Sequence, residues 1–149
     1  MLGDGIAARI DEQHPRISVD LDGDGTCIAH ARHRAVDFLL QARTAHGLPV
    51  SQRATDVTQL VVSELVTNAG KYAPGPARLD LRIDGDMIEV SVWDSDPVLP
   101  VARAADAGRV GQHGLEIVMA VSQGFQAERV QTGKRITARI TLADDVGGR

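Results

Sequence analysis

Three short segments of this chain carry polar side chains at spacings suited to chemistry. In VTQLVVSELVTNAGKYA, residues 57–73, Glu64 and Asn68 stand four apart, with Tyr72 next on the same line. At 3.6 residues per turn they stack along one edge of a helix whose apolar arc holds Val57, Val61, Val62, Leu65, Val66 and Ala69. A carboxylate and a carboxamide at that edge fit either a pocket in the seam between helix and sheet or a solvated helix face. Trp93-Asp94 ends a run in which Ile88, Val90 and Val92 alternate, so the period of two turns Asp94 inward. An inward carboxylate is costly unless a donor reaches it. An exocyclic amine such as that of adenine would serve, and so would the turn formed by Ser95-Asp96-Pro97. Gly111-Gln112-His113-Gly114-Leu115 precedes a short helix. Glycines let a backbone approach a ligand, and free amides at a helix N-terminus attract phosphate, although such glycines also simply shape turns.

The elements that must hold these residues follow from periodicity. Ile17, Val19 and Leu21 alternate in RISVDL (16–21), a strand. After the turn cluster DGDG at 22–25, Thr26 caps a helix over 27–46, stopped by Gly47 and Pro49. Ser51 opens a second helix that runs to Tyr72 or Ala73 and ends at the PGP of 74–76. Leu79, Leu81 and Ile83, then Ile88, Val90 and Val92, alternate on either side of Gly85-Asp86, which predicts a hairpin with one buried face. Periodicity vanishes from 95 to 112, a loop long enough to be functional. A short helix at 114–121, a strand at 124–131, a turn at Thr132-Gly133-Lys134 and a strand at 135–142 complete the order. The expected organisation is an N-terminal arm at 1–15, one domain over 16–142 and a flexible tail at 143–149. Its class is α+β: a two-layer sandwich, its sheet mixed but mostly antiparallel, with helices on one face.

Composition removes several classes of function. The 149 residues include 16 Lys+Arg and 20 Asp+Glu, a net charge of −4, and aromatics make up 3%. A nucleic-acid binder needs a basic footprint, and a single-strand binder needs stacking rings, so no direct nucleic-acid partner is expected. No apolar run is long enough for a membrane span or a signal peptide. The one cysteine, Cys27, excludes an internal disulfide framework. A cytoplasmic protein without a membrane partner is the resulting expectation. DLDGDG at 20–25 imitates a calcium loop, but its twelfth position is Ala31 where a bidentate Glu is required. His30 and His33 have no Cys or acidic partner at metal-site spacing.

Taken together, SELVTNAGKYA, WDSDP and GQHGLEIV occur in the order, and at roughly the spacing, of the three ATP-site motifs of the GHKL superfamily, which the chain resembles from about 26 to 142. VVSELVTNA is most similar to the small stand-alone members that resemble anti-sigma-factor serine/threonine kinases. The resemblance implies a Bergerat-type ATP-binding fold with ATP and Mg²⁺ as ligands. It implies that Asn68 holds Mg²⁺, that Glu64 is the general base and that Asp94 accepts from the adenine amine. Gly111, His113, Gly114 and Leu115 would form the phosphate-side end of a lid spanning 95–112, and Lys71 would reach a phosphate or remain solvated. Members usually place a Thr beside the adenine Asp, soon after the last Gly-Lys turn; here Arg135 follows Lys134 and the nearest is Thr137. Two further departures are Ser95-Asp96-Pro97, where the family carries a Gly two residues after the Asp, and Tyr72, where relatives often have His. The implied function is a protein kinase whose partner is a sigma factor, an anti-sigma antagonist or both, with a homodimer left open. The alternative is a degenerate module of the same fold that binds nucleotide without catalysis or sequesters a protein.

Overall fold

Ser51 sets the start of the longest helix: its hydroxyl accepts the N–H of Ala54 at 3.0 Å, an N-cap bond that satisfies one of the orphan donors of the first turn. The computed structural model describes residues 15–22, 27–72, 75–96 and 112–144. In chain order the elements are β1 (Arg16–Leu21), α1 (Cys27–His46), α2 (Gln52–Tyr72), β2 (Ala77–Asp84), β3 (Met87–Asp94), α3 (Gln112–Val121), β4 (Gly124–Val130) and β5 (Gly133–Thr141). Residues 1–14 of the expected arm, 97–111 of the expected lid and 145–149 of the expected tail lie outside the described residues.

The five strands form one sheet in the order β1-β2-β3-β5-β4, and every described pairing is antiparallel. One face is apolar because the alternating positions line up across the strands: Leu79, Leu81 and Ile83 of β2, Ile88, Val90 and Val92 of β3, and Ile136, Ala138 and Ile140 of β5 are all buried. Onto it pack Ala31, Ala35, Phe38 and Leu39 of α1, Val61, Val62, Leu65 and Val66 of α2, and Leu115 and Val118 of α3. Helix α1 lies over β1 and β2, α2 over β3 and β5, and α3 beside α2 against β4 and β5. The architecture is thus the α+β layering that the alternation predicts.

The other face of the sheet is polar. Trp93 lies between two guanidiniums, with Arg78 4.5 Å and Arg135 5.0 Å from its ring centroid, and its indole N–H donates to Asp80 at 2.7 Å. Glu89 accepts from Arg82 and Arg139. Burial pushes its carboxyl up, but the hydrogen bonds and charges of the two arginines outweigh that and hold it below the ordinary carboxylate range.

Several boundaries shift by one or two residues: α3 begins at Gln112 instead of 114, β4 ends at Val130 and β5 at Thr141. The last strand begins at Gly133, not at 135, because the hairpin closes through the two residues Gln131-Thr132 with Val130 paired to Gly133. Lys134 is therefore a strand residue, paired with Asp94. A glycine is needed before it: a Cβ at Gly133 would lie 1.8 Å from the carbonyl oxygen of Asp94 and 2.8 Å from the Cα of Ser95. Both are backbone atoms that cannot swing aside. Gly133→Ala is expected to destabilise the fold by about 3 kcal/mol, the upper part of the overpacking range, as read from urea unfolding. A change below about 0.5 kcal/mol would contradict this close approach.

Candidate functional site

Helix α2 presents Glu64 at the seam with α3 and Asn68 one turn further along. Asn68 is buried, with 7% exposure, and Glu64 is half-buried. The neighbouring element is the first turn of α3, anchored by Leu115 and Val118 in the core. Gly114 lies against the carboxylate: a Cβ there would come within 2.5 Å of Glu64 Oε1. The missing side chain is what lets the carboxylate approach the helix start, where the partial positive charge of the first amides favours an anion. Glu64 and Gly114, far apart in sequence, thereby meet.

The remaining expected residues are placed differently. Leu115 is an apolar anchor in the core. Lys71 is exposed and borders a mostly apolar cleft of about 240 Å³ with Leu21, Cys27, Ile28 and Val66, between the start of α1 and the end of α2. Gly111 and the side chain of His113 lie outside the described residues. Thr137 does not reach Asp94. Its hydroxyl hydrogen-bonds that of Ser91 at 2.8 Å, on the polar side of the sheet with Arg135 and Arg139. The reason is strand parity: Ile136 and Ala138 point to the core, so Thr137 must point away from it.

Asp94 does face the helices, and its donor is internal. Lys134 Nζ lies 3.0 Å from Asp94 Oδ1 and 2.9 Å from Oδ2. The ammonium also donates to the carbonyl oxygen of Asp96 at 3.4 Å, with Asp96 Oδ2 3.9 Å away. The Asp96 N–H donates to Asp94 Oδ1 at 2.9 Å, so the carboxylate caps the turn that follows it. Solvent reaches 0% of the Lys134 side chain and 1% of that of Asp94. Lys134, expected in a turn, is a strand residue. The signal that finds it is the same alternation, carried back from Ile140, Ala138 and Ile136 by one more step of two.

Comparison with known proteins gives the family. The model of the histidine kinase-like ATPase domain matches residues 26–140, most of the chain. The chain belongs to that family. No curated protein matches it. Among solved structures, this histidine kinase-like ATPase domain is similar to the RsbU and RsbW domains of Rv1364c from Mycobacterium tuberculosis, at 17% identity and a TM-score of 0.64, over 88% of this chain and 33% of that one. It is also similar to the histidine kinase domain of the blue-light-activated histidine kinase EL346 from Erythrobacter litoralis, at 18% identity and a TM-score of 0.47, over 75% of this chain and 61% of that one. The chain thus spans a third of the first structure's length. The first likeness is one of fold, which agrees with the layered sheet described above.

The family implies ATP, with Mg²⁺ its usual companion, and the two ends of the site fit that ligand unequally. At one end, the buried Asn68 carboxamide suits a hard cation and the amides at the start of α3 suit phosphate oxygens. At the other, the carboxylate expected to meet a base is already held by Lys134. No helix among the described residues is long and apolar enough to cross a membrane.

The contact between Gly114 and Glu64 is open to a direct check. Because the atom in the way is the end of a flexible side chain, Gly114→Ala is expected to leave unfolding stability within about 1 kcal/mol of the parent while the Glu64 carboxyl carbon resonance moves. An unchanged Glu64 resonance in a folded Gly114→Ala variant would show that α3 does not abut Glu64.

Proposed function

We propose that this chain is an ATP- and Mg²⁺-binding regulatory protein acting as a serine/threonine protein kinase of the anti-sigma-factor type. Its partner would be a sigma factor, an antagonist protein or both, met in the cytoplasm. The observation that supports the reading is the approach of Gly114 to Glu64, with the buried Asn68 one helical turn further along α2. Asn68 would hold the cation through its side-chain oxygen, which its burial keeps in place. The first turn of α3 would receive phosphate oxygens on its amides. The cation, when bound, supplies charge neutralisation for phosphoryl transfer. Glu64 takes the proton from a serine or threonine hydroxyl of the antagonist as that oxygen bonds to the terminal phosphorus and ADP leaves. Positioning and electrostatics carry most of such a reaction, so the rigid backing of α2 by the core is the scaffold's contribution.

One observation favours the second reading, a degenerate nucleotide-binding or protein-sequestering module: the Lys134–Asp94 pair at the base end. Calorimetric titration with Mg²⁺ and ATP separates the two. Saturable binding is expected, with Asn68→Ala weakening it at least about tenfold. Glu64→Gln should keep binding within about threefold and lose at least about a hundredfold in phosphate transfer. Absence of saturable binding at millimolar ATP would remove the kinase reading, and retained transfer in Glu64→Gln would remove Glu64 as the base.

A further inference from the structure

Building on that nucleotide reading, we propose that Lys134 is an internal occupant of the base subsite, so that the site selects a Mg²⁺–triphosphate and is nearly indifferent to the base attached to it. A purine amine and the Lys134 ammonium are both N–H donors seeking the same acceptor, the Asp94 carboxylate. The ammonium already reaches both oxygens, at 3.0 and 2.9 Å. Either donor makes a charge-assisted bond to the carboxylate, but the ammonium adds a full positive charge, an ion-pair attraction that a neutral amine lacks. A base that displaced it would strand a cation with 0% exposure, and a buried charge without its partner is the costlier arrangement.

The pair cannot be opened by sliding the strand, either. Gly133 presses the start of β5 onto the backbone of Asp94 and Ser95 with no room to spare. The Asp96 N–H occupies Oδ1 from the other side at 2.9 Å, and Asp96 Oδ2 stands 3.9 Å from the ammonium, adding a second negative charge that holds it. None of these contacts touches Asn68, Glu64 or Gly114, which lie on α2 and α3. The metal-and-phosphate end therefore keeps its geometry while the base end is shut. Asp94 serves here as a structural counter-charge, and the ligand class follows: Mg²⁺ complexes of nucleoside triphosphates of any base, with tripolyphosphate as the baseless limit.

The test is a panel titration of the full chain with MgATP, MgGTP, MgCTP and Mg²⁺–tripolyphosphate, followed by the same panel on Lys134→Thr. The parent is expected to bind the three nucleotides within about threefold of one another, and a folded Lys134→Thr to prefer ATP by about tenfold or more, since a freed acceptor discriminates by hydrogen bonding. A parent that prefers ATP over GTP by tenfold overturns the occupant role of Lys134 and leaves the nucleotide reading standing. A Lys134→Thr variant that melts cooperatively yet stays indifferent to the base overturns it as well. A parent that binds no member of the panel overturns the nucleotide reading, and this inference with it. Should Lys134→Thr fail to melt cooperatively, the parent's panel decides alone.

Discussion

A lysine ammonium out of reach of water must be neutralised inside the protein or give up its proton. Lys134 has no exposed surface and lies between the carboxylate of Asp94 and the carbonyl of Asp96. That demand fixes much of one end of the sheet. It ties the last residue of β3 to the second residue of β5, sets the course of the chain after Asp94, and requires the glycine that precedes the lysine. Removing one partner of such a pair costs about 3–5 kcal/mol, which is comparable to much of the 5–15 kcal/mol by which a domain is stable. The pair is therefore as much a part of the fold as the apolar positions that share its face.

The same face carries the rest of the candidate site, and the two ends have different supports. Glu64 and Asn68 ride on α2, whose Val61, Val62, Leu65 and Val66 are packed against the sheet. Gly114 opens α3, which Leu115 and Val118 pin beside α2. Asp94 and Lys134 belong to the sheet alone. A family fold can thus keep the geometry of one end while the other is remodelled by a single long side chain. On the opposite side of the sheet, Trp93 and the arginines and carboxylates around it are arranged by the alternate parity of the same strands, which is why Thr137 belongs to that side.

Most of the architecture is legible in the sequence because periodicity states it directly. The alternation of β2 and β3 and the helical spacing of Glu64 and Asn68 need no knowledge of tertiary contacts. Ser51, Gly47 and Pro49 mark where helices begin and end. The approach of Gly114 to Glu64 is not legible, since it depends on how α3 docks on α2 and nothing local encodes that. Lys134 is an intermediate case. Its charge argues for a turn on the surface, while the parity of Ile136, Ala138 and Ile140 argues for the core, and parity prevails because Asp94 waits opposite. Thr137 follows the same rule: three residues from Lys134, it has to face the other way. A charged residue in phase with a buried apolar run is better read as one half of a pair than as an exception to the pattern.

The closed base end depends on Lys134 and Asp94 acting as one unit, and a double-mutant cycle on unfolding free energy measures that most directly. Asp94→Ala, Lys134→Ala and the double variant, compared with the parent by urea unfolding, should show a coupling of at least about 1.5 kcal/mol, with the double variant more stable than the sum of the single losses predicts. Losses that add to within about 0.5 kcal/mol would contradict the account, because two residues that add independently do not hold each other's charge.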